Sequence, residues 1–225
     1  MNPFLLSGLS ILLGLFLLLY KGLLFAIIPL AFGFYKILHT LGIIRNPEFF
    51  RGSFAEGVAY VKDYVGEDNR EAFIEASRLI RNFNLKDFII IAIYYDKIKT
   101  VENGKQRSSI GIFKRIKTFP EKMPEEFERY CAENGFNQFE LPGAASIYSQ
   151  WFYYSSYILM VGVQKFYSSL KKQLYNETFK RNQKIRDPDL ITISIELYEF
   201  EQKISFYVPV LFREKFMLYQ KDKNE

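Results

Sequence analysis

The sequence contains very few of the residues on which most enzymes and metal proteins depend. Among its 225 residues there are one cysteine, one tryptophan and one histidine. A single cysteine, Cys131, excludes an internal disulfide, and the lone histidine, His39, excludes a site built from several imidazoles. The sequence also has no glycine-rich phosphate loop and no dinucleotide fingerprint. We therefore expect a non-enzymatic protein with no cofactor and no metal, in which Cys131 is a small buried apolar residue.

Charged residues are absent from the first 20 positions, where the stretch from Phe4 to Leu19 is almost wholly Leu, Ile, Phe, Gly and Ser. A helix needs about 20 such residues to cross a bilayer. The segment lacks the basic start and the cleavage site of a signal peptide, so the sequence predicts a single transmembrane anchor over residues 1–22. The basic residues that follow it place the rest of the chain in the cytosol or the mitochondrial matrix. They are Lys21, Lys36, Arg45 and Arg51.

A second apolar run, from Leu23 to Tyr35, is interrupted by Pro29 and leaves two interpretations open. The run could extend the anchor helix along the membrane surface, or it could form the first strand of the domain, with the proline at an edge or a bulge. We favour the strand, because a long extended stretch that continues to His39 is typical of a buried strand.

The remaining sequence alternates between helical and strand patterns in a repeated order. Helical periodicity is found at residues 49–83, 124–133 and 157–179, and strand patterns at residues 87–96, 108–116, 136–141, 147–154, 192–200 and 204–210. Asn103-Gly104 is a hairpin turn signal between two of these strands. The order strand, helix, strand, strand occurs twice, which predicts an α+β domain over residues 23–212, with an antiparallel sheet and helices on one face. A short charged tail, residues 213–225, follows.

This plan resembles the gyrase-inhibitor-like (GyrI-like) domain, a tandem β-α-β-β duplication that binds small molecules. Behind an N-terminal span it is similar to the membrane-anchored, testis-expressed ER-phagy receptor family, but without that family's long acidic disordered tail, because Glu225 follows the domain closely. The resemblance covers roughly residues 30–212. The stretches that carry it are 91–96 (IAIYYD), 109–111 (SIG), 133–136 (ENGF), 139–142 (FELP), 155–159 (SSYIL), 195–198 (IELY) and 206–210 (FYVPV).

The resemblance implies one candidate ligand-binding site. GyrI-like domains that bind cationic or apolar ligands place a Glu from an E-x-Y strand motif in an aromatic groove between the two halves, and Glu196 with Tyr198 matches that motif. Tyr94 has a comparable position in the first half, and Trp151 could wall the groove. A carboxylate among aromatic rings suits a small organic cation. In the competing interpretation, Glu196 lies on the solvent side of an alternating strand.

Three functions remain as hypotheses. We favour an accessory or structural subunit of a larger membrane protein complex, in the mitochondrial inner membrane or the ER, because the sequence offers no catalytic chemistry. The alternatives are an ER-membrane adaptor similar to ER-phagy receptors, and a small-molecule sensor that uses the groove. The expected partners are membrane lipid and other membrane-protein subunits, without nucleic acid. The basic series from Lys165 to Arg186 is either a solvated helix face or a surface for anionic lipid headgroups or an acidic partner.

Overall fold

The structure is a computed structural model that describes residues 3–21, 23–66, 69–95, 106–115, 123–153, 155–181, 193–199, 202–210, 213–216 and 218. Its helices are α1 (Pro3–Lys21), α2 (Leu23–Thr40), α3 (Arg70–Asn82), α4 (Glu125–Glu133) and α5 (Ser156–Arg181). Its strands are β1 (Phe50–Phe54), β2 (Gly57–Val65), β3 (Ile89–Tyr94), β4 (Arg107–Arg115), β5 (Asn137–Leu141), β6 (Ala144–Phe152), β7 (Ser194–Glu199) and β8 (Lys203–Pro209). The predicted turn at Asn103-Gly104 and most of the predicted tail are outside the described residues.

The chain divides into two compact units. The first consists of Met1–Pro47 and Tyr153–Ser169, and the second of Glu48–Phe152 and Leu170–Glu225. The first unit is helical, whereas the second contains all eight described strands. This confirms the predicted α+β class.

In the first unit, α1 and α2 form a helical hairpin. Gly14 of α1 lies against Leu30 of α2, and Gly33 of α2 lies against Ile11 of α1. The predicted strand over the second apolar run is therefore wrong: Leu23–Thr40 is a helix that contains Pro29. An apolar run without polar alternation fits either structure, and here the contacts with α1 stabilise the helix.

The predicted transmembrane anchor over residues 1–22 also needs correction. No helix in the described part of the chain is both long enough and apolar enough to cross a membrane. The uncharged run is instead one arm of the α1–α2 hairpin.

One lysine of the predicted basic series has a structural role in the first unit. The Lys165 ammonium donates hydrogen bonds to the backbone carbonyl oxygens of Ile43 and Arg45, at 2.7 Å each. These bonds fix the segment that follows α2. The Lys165 charge is thus used within the chain.

In the second unit, the strands form one antiparallel sheet in the order β1-β6-β8-β7-β3-β4-β2-β5. The order is symmetric about its centre, because β2-α3-β3-β4 and β6-α5-β7-β8 are two copies of one plan joined at the β3–β7 pair.

The helix predicted at residues 49–65 is wrong, because this segment forms the strands β1 and β2. Residues 57–61 are buried without alternation, and so they carry no strand periodicity in the sequence.

A short strand precedes each repeat in the chain, and each of these two strands pairs with the other repeat. β1 precedes β2 in the chain but pairs with β6, in the register Phe50↔Tyr148 to Phe54↔Ala144. β5 precedes β6 but pairs with β2, in the register Val61↔Asn137 to Gly57↔Leu141. Each half of the sheet is thus completed by the strand that precedes the other repeat.

Both faces of the sheet are apolar. One face packs against α3 and α4 in a cluster that includes Leu79, Ile112 and Phe127. On the other face, Phe54 and Phe113 form a core with Phe216, which belongs to a 3₁₀ turn at Arg213–Phe216. The start of the predicted charged tail therefore contributes to the core.

Gly111 in β4 offers a test of how closely the strands pack. A Cβ at this position would lie 1.9 Å from the Tyr60 carbonyl oxygen of β2. We expect Gly111→Ala to lower the free energy of unfolding by about 3 kcal/mol, the upper part of the usual range for overpacking, as measured by chemical denaturation. Gly143→Ala is the control, because its added Cβ would be 3.7 Å from the nearest atom. Equal stability of the two variants would contradict the close approach.

Candidate functional site

The candidate site lies at the centre of the sheet, where β3 pairs with β7. Ala92 is opposite Glu196 and Tyr94 is opposite Ser194 in this register. Residues directly opposite in a sheet point to the same side, as do residues i and i+2. Tyr94, Glu196 and Tyr198 therefore share one face. It is the face that α3 covers, because the ring of Phe73 in α3 is 4.9 Å from the ring of Tyr198.

Glu196 is a buried carboxyl group with an aromatic hydrogen-bond donor. The residue is 1% exposed, and the Tyr198 hydroxyl donates to its Oε2 at 2.5 Å. Removing a carboxylate from water is costly unless hydrogen bonds or charges compensate. The interpretation of Glu196 as a solvent-facing residue is wrong, because α3 covers the side of the strand that alternation suggested was exposed.

A hydrogen-bond network connects Glu196 to the start of α3. Burial raises the pKa of Tyr94 well above 10, the Glu196 charge raises it further, and hydrogen bonds with Tyr198 and Asn69 lower it. The net effect is a raised pKa, so the Tyr94 hydroxyl is protonated at neutral pH, as an ordinary tyrosine is. Asn69 stands at the N-cap of α3 without a side-chain capping bond, and its side chain bonds to Tyr94 instead. The network therefore fixes α3 to both central strands.

Trp151 lies on the same face but farther away. It is opposite Ile204 of β8, and Ile204 is opposite Tyr198. Two strand spacings separate Trp151 from Tyr198, or roughly 10 Å, and the indole is buried at 1% exposure. The structure thus brings Glu196, Tyr198 and Tyr94 together, whereas Trp151 lies two strands away from Tyr198 in the sheet. The ligand-binding role of the four residues stays a prediction.

Two serines near the network add polar atoms that the sequence reading did not identify. Ser108 is opposite Tyr94 in β4, and Ser149 is opposite Phe206, which is itself opposite Glu196. Both hydroxyls are buried and have no hydrogen-bond partner among the described residues. The sequence feature that could have identified Ser108 and Ser149 is a polar residue within a strand that is otherwise apolar. A ligand with polar groups could satisfy them.

A second carboxylate on this face is neutralised within the chain. Glu75 of α3 accepts a hydrogen bond from the Tyr64 hydroxyl at 2.9 Å, and its carboxylate is 3.1 Å from the Lys62 ammonium. Burial and the bond with Glu75 raise the pKa of Tyr64. Glu75 therefore has a structural role. The sequence pattern alone does not distinguish it from a glutamate on the exposed side of a helix.

Cys131 and His39 are the other residues whose side chains could take part in chemistry, and both have surroundings typical of a structural role. Cys131 is buried, which confirms the predicted buried position. Burial and the nearby Glu128 charge raise the pKa of its thiol to about 12. His39 is at the end of α2, with its ring 6.1 Å from that of Tyr35. The described residues contain no group of His, Cys, Asp or Glu side chains arranged to hold a metal ion.

No protein-family profile matches the sequence, and no protein with a curated description matches it. Solved structures do align with the chain. The C-terminal domain of EcmrR aligns over 72% of this chain and 96% of its own length, at 11% identity and a TM-score of 0.41. A hydrolase encoded by lin2189 from Listeria innocua aligns over 75% and 94%, at 12% identity and a TM-score of 0.43. SAV2435 bound to tetraphenylphosphonium aligns over 72% and 93%, at 10% identity and a TM-score of 0.40. The resemblance to the ER-phagy receptor family stays a prediction.

The bond between Tyr198 and Glu196 gives a stability prediction. Tyr198→Phe removes a hydrogen bond to a buried carboxylate, so we expect the free energy of unfolding to fall by about 1.5–3 kcal/mol. The measurement is chemical denaturation followed by the fluorescence of Trp151, the only tryptophan. Tyr157→Phe is the matched control, because Tyr157 is 55% exposed and its change should stay within about 0.5 kcal/mol. A loss of the same size in both variants would contradict the prediction.

Proposed function

We propose that this chain is a non-enzymatic accessory subunit of a larger membrane protein complex. The observation that carries the proposal is the outer surface of the α1–α2 hairpin, where large apolar side chains are exposed. Leu19 is 81% exposed and Ile28 is 77% exposed. Contiguous apolar surfaces of this kind mark sites that are covered by a membrane or a partner.

The proposal includes a location and a division of roles. The hairpin holds the chain in the mitochondrial inner membrane or the ER membrane, and the α+β unit lies on the matrix or cytosolic side. In the described part of that unit, the exposed large hydrophobic side chains are few and dispersed: Phe50, Val65, Ile74 and Phe152. An ER-membrane adaptor would use the same arrangement to recruit soluble partners, and we propose it as the alternative. Nucleic acid is not among the proposed partners.

The test is gentle detergent extraction of native membranes that contain the chain, followed by size separation and identification of the proteins that co-migrate. We expect the chain to migrate in an assembly much larger than its own 26.6 kDa, because a subunit keeps its partners in mild detergent. Migration as a single chain in a micelle would contradict the subunit proposal. Transient soluble partners would then favour the adaptor.

A pair of variants controls for the role of the hairpin. Leu19→Glu adds a charge to the exposed apolar surface of α1, which is unfavourable in hydrocarbon by about 2.5–3.5 kcal/mol or more. We expect this variant to leave the membrane fraction. Val65→Glu makes the same chemical change at an exposed position of the α+β unit and should stay in the membrane fraction.

Glu196 supports a second candidate, a sensor for a small organic cation. A buried carboxyl among Tyr198, Tyr94 and Phe73 combines negative charge with aromatic rings, which is the chemistry that attracts an organic cation. The hydroxyl of Ser149, buried on the same face, offers a polar contact beyond Phe206. We propose binding without catalysis, since the arrangement supplies attraction and orientation but no nucleophile beside the carboxylate.

The sensor is tested with tetraphenylphosphonium, an aromatic cation whose charge does not depend on pH. We expect saturable quenching of Trp151 fluorescence, because Trp151 is on the same face as Glu196. Glu196→Gln removes the charge and should weaken binding at least about tenfold, equal to about 1.4 kcal/mol. Glu140→Gln is the matched control at an exposed carboxylate of β5. Absence of quenching, or equal affinity in both variants, would contradict the sensor.

A further inference from the structure

The α1–α2 hairpin has small residues inside and large apolar residues outside. Ser7 and Ala26 are buried in it, and glycines stand where the two helices meet. A Cβ at Gly14 would lie 3.1 Å from the backbone nitrogen of Leu30, and one at Gly33 would lie 3.2 Å from the carbonyl oxygen of Ser7. The backbones approach too closely for larger side chains. Helices that pack in water normally bury their large apolar residues, whereas close packing through small residues is typical of helices in lipid.

The outer surface is too wide for one partner helix. Successive residues of a helix rotate by roughly 100°, so the exposed positions of α1 are spread over more than half of its circumference. They include Leu12, Leu13, Leu15, Phe16, Leu18 and Leu19. A helix that packs on one protein neighbour shows an apolar stripe about 100° wide. Fluid acyl chains, in contrast, cover any outward direction.

The charges of the hairpin lie where its arms end. Lys21 is the last residue of α1, at the turn between the two helices, and a lysine at a helix end can extend its ammonium toward the headgroups. No charged residue occurs between Met1 and Tyr20 or between Gly22 and Tyr35. Lys36 follows in α2 with its ammonium 5.5 Å from the ring of Phe32, and Arg45 comes soon after the helix. Basic groups next to an uncharged apolar segment suit the anionic headgroups of a membrane surface.

We propose that the hairpin enters a lipid bilayer from one side and returns to that side, with acyl chains against the outer surfaces of α1 and α2. This inference rests on the proposed membrane location and names lipid as the occupant of the apolar surface. Its consequence concerns topology. The residues before α1 and the segment after α2 remain on the same side of the membrane, whereas a single span would place them on opposite sides.

The experiment uses the purified full chain added to preformed sealed liposomes of phosphatidylcholine and phosphatidylserine. Single cysteines are introduced as Asn2→Cys before α1 and Asn46→Cys after α2, and both are treated with a membrane-impermeant maleimide. The wild-type chain is the control, because Cys131 is 3% exposed with a pKa of about 12 and should not react. We expect both introduced thiols to label completely from outside, before detergent is added.

A third variant, Leu19→Cys, tests for lipid directly. Its thiol should remain unlabelled on the liposomes and react after detergent is added, because acyl chains exclude the reagent. Protection of Asn2→Cys alone would overturn the shared topology, and labelling of Leu19→Cys on intact liposomes would overturn the lipid contact. Failure to bind liposomes would overturn the inference. It would not contradict the subunit proposal, which the extraction of native membranes tests separately, because a chain whose hairpin is covered by protein would still co-migrate with its partners.

Discussion

The pairing of β3 with β7 is the constraint on which the second unit depends. These two strands are the only contact in the sheet between the core strands of one repeat and those of the other, in the part of the chain that the structure describes. Their five register pairs, from Ile90↔Tyr198 to Tyr94↔Ser194, join two four-stranded halves into one sheet. The same register places a tyrosine of the first repeat beside the E-x-Y motif of the second. The candidate site therefore exists because the halves are joined at this pair.

The sequence predicted the residues at the centre of the candidate site but not the helix that packs over them. Glu196 and Tyr198 are two positions apart in one strand, so any strand assignment places them on one face, and Tyr94 follows from the repeated plan. Asn69 and Phe73 come from α3, which reaches the site only through tertiary packing. Alternation suggested that the Glu196 side of the strand is in water, because Ser194, Glu196 and Tyr198 are all polar. A polar row beneath a helix has the same sequence pattern as a solvated row.

The secondary structure was predicted correctly where the sequence periodicity is strong. It was predicted incorrectly where tertiary packing determines whether a segment is a helix or a strand. The β3 and β7–β8 segments combine β-branched and aromatic residues, and their strands were found as expected. Residues 57–61 are buried on both faces and lack alternation, so a strand was read as a helix. In α2 the apolar run has no polar face, and its helical form depends on small residues that meet α1. Neither case leaves a local signal, because the deciding contacts are distant in sequence.

The pairing of β1 and β5 each with the other repeat has a consequence for how the chain folds as it is made. The partner of β1 is β6, about 100 residues later, and contacts of this separation form slowly because a long loop must close first. At roughly 5–20 residues per second, β1 leaves the ribosome on the order of 5–20 s before β6 does. During that interval β6, the strand with which β1 pairs, has not yet left the ribosome. The nascent chain thus carries an open strand with Phe50 on it, the kind of edge that recruits chaperones or the same strand of another copy.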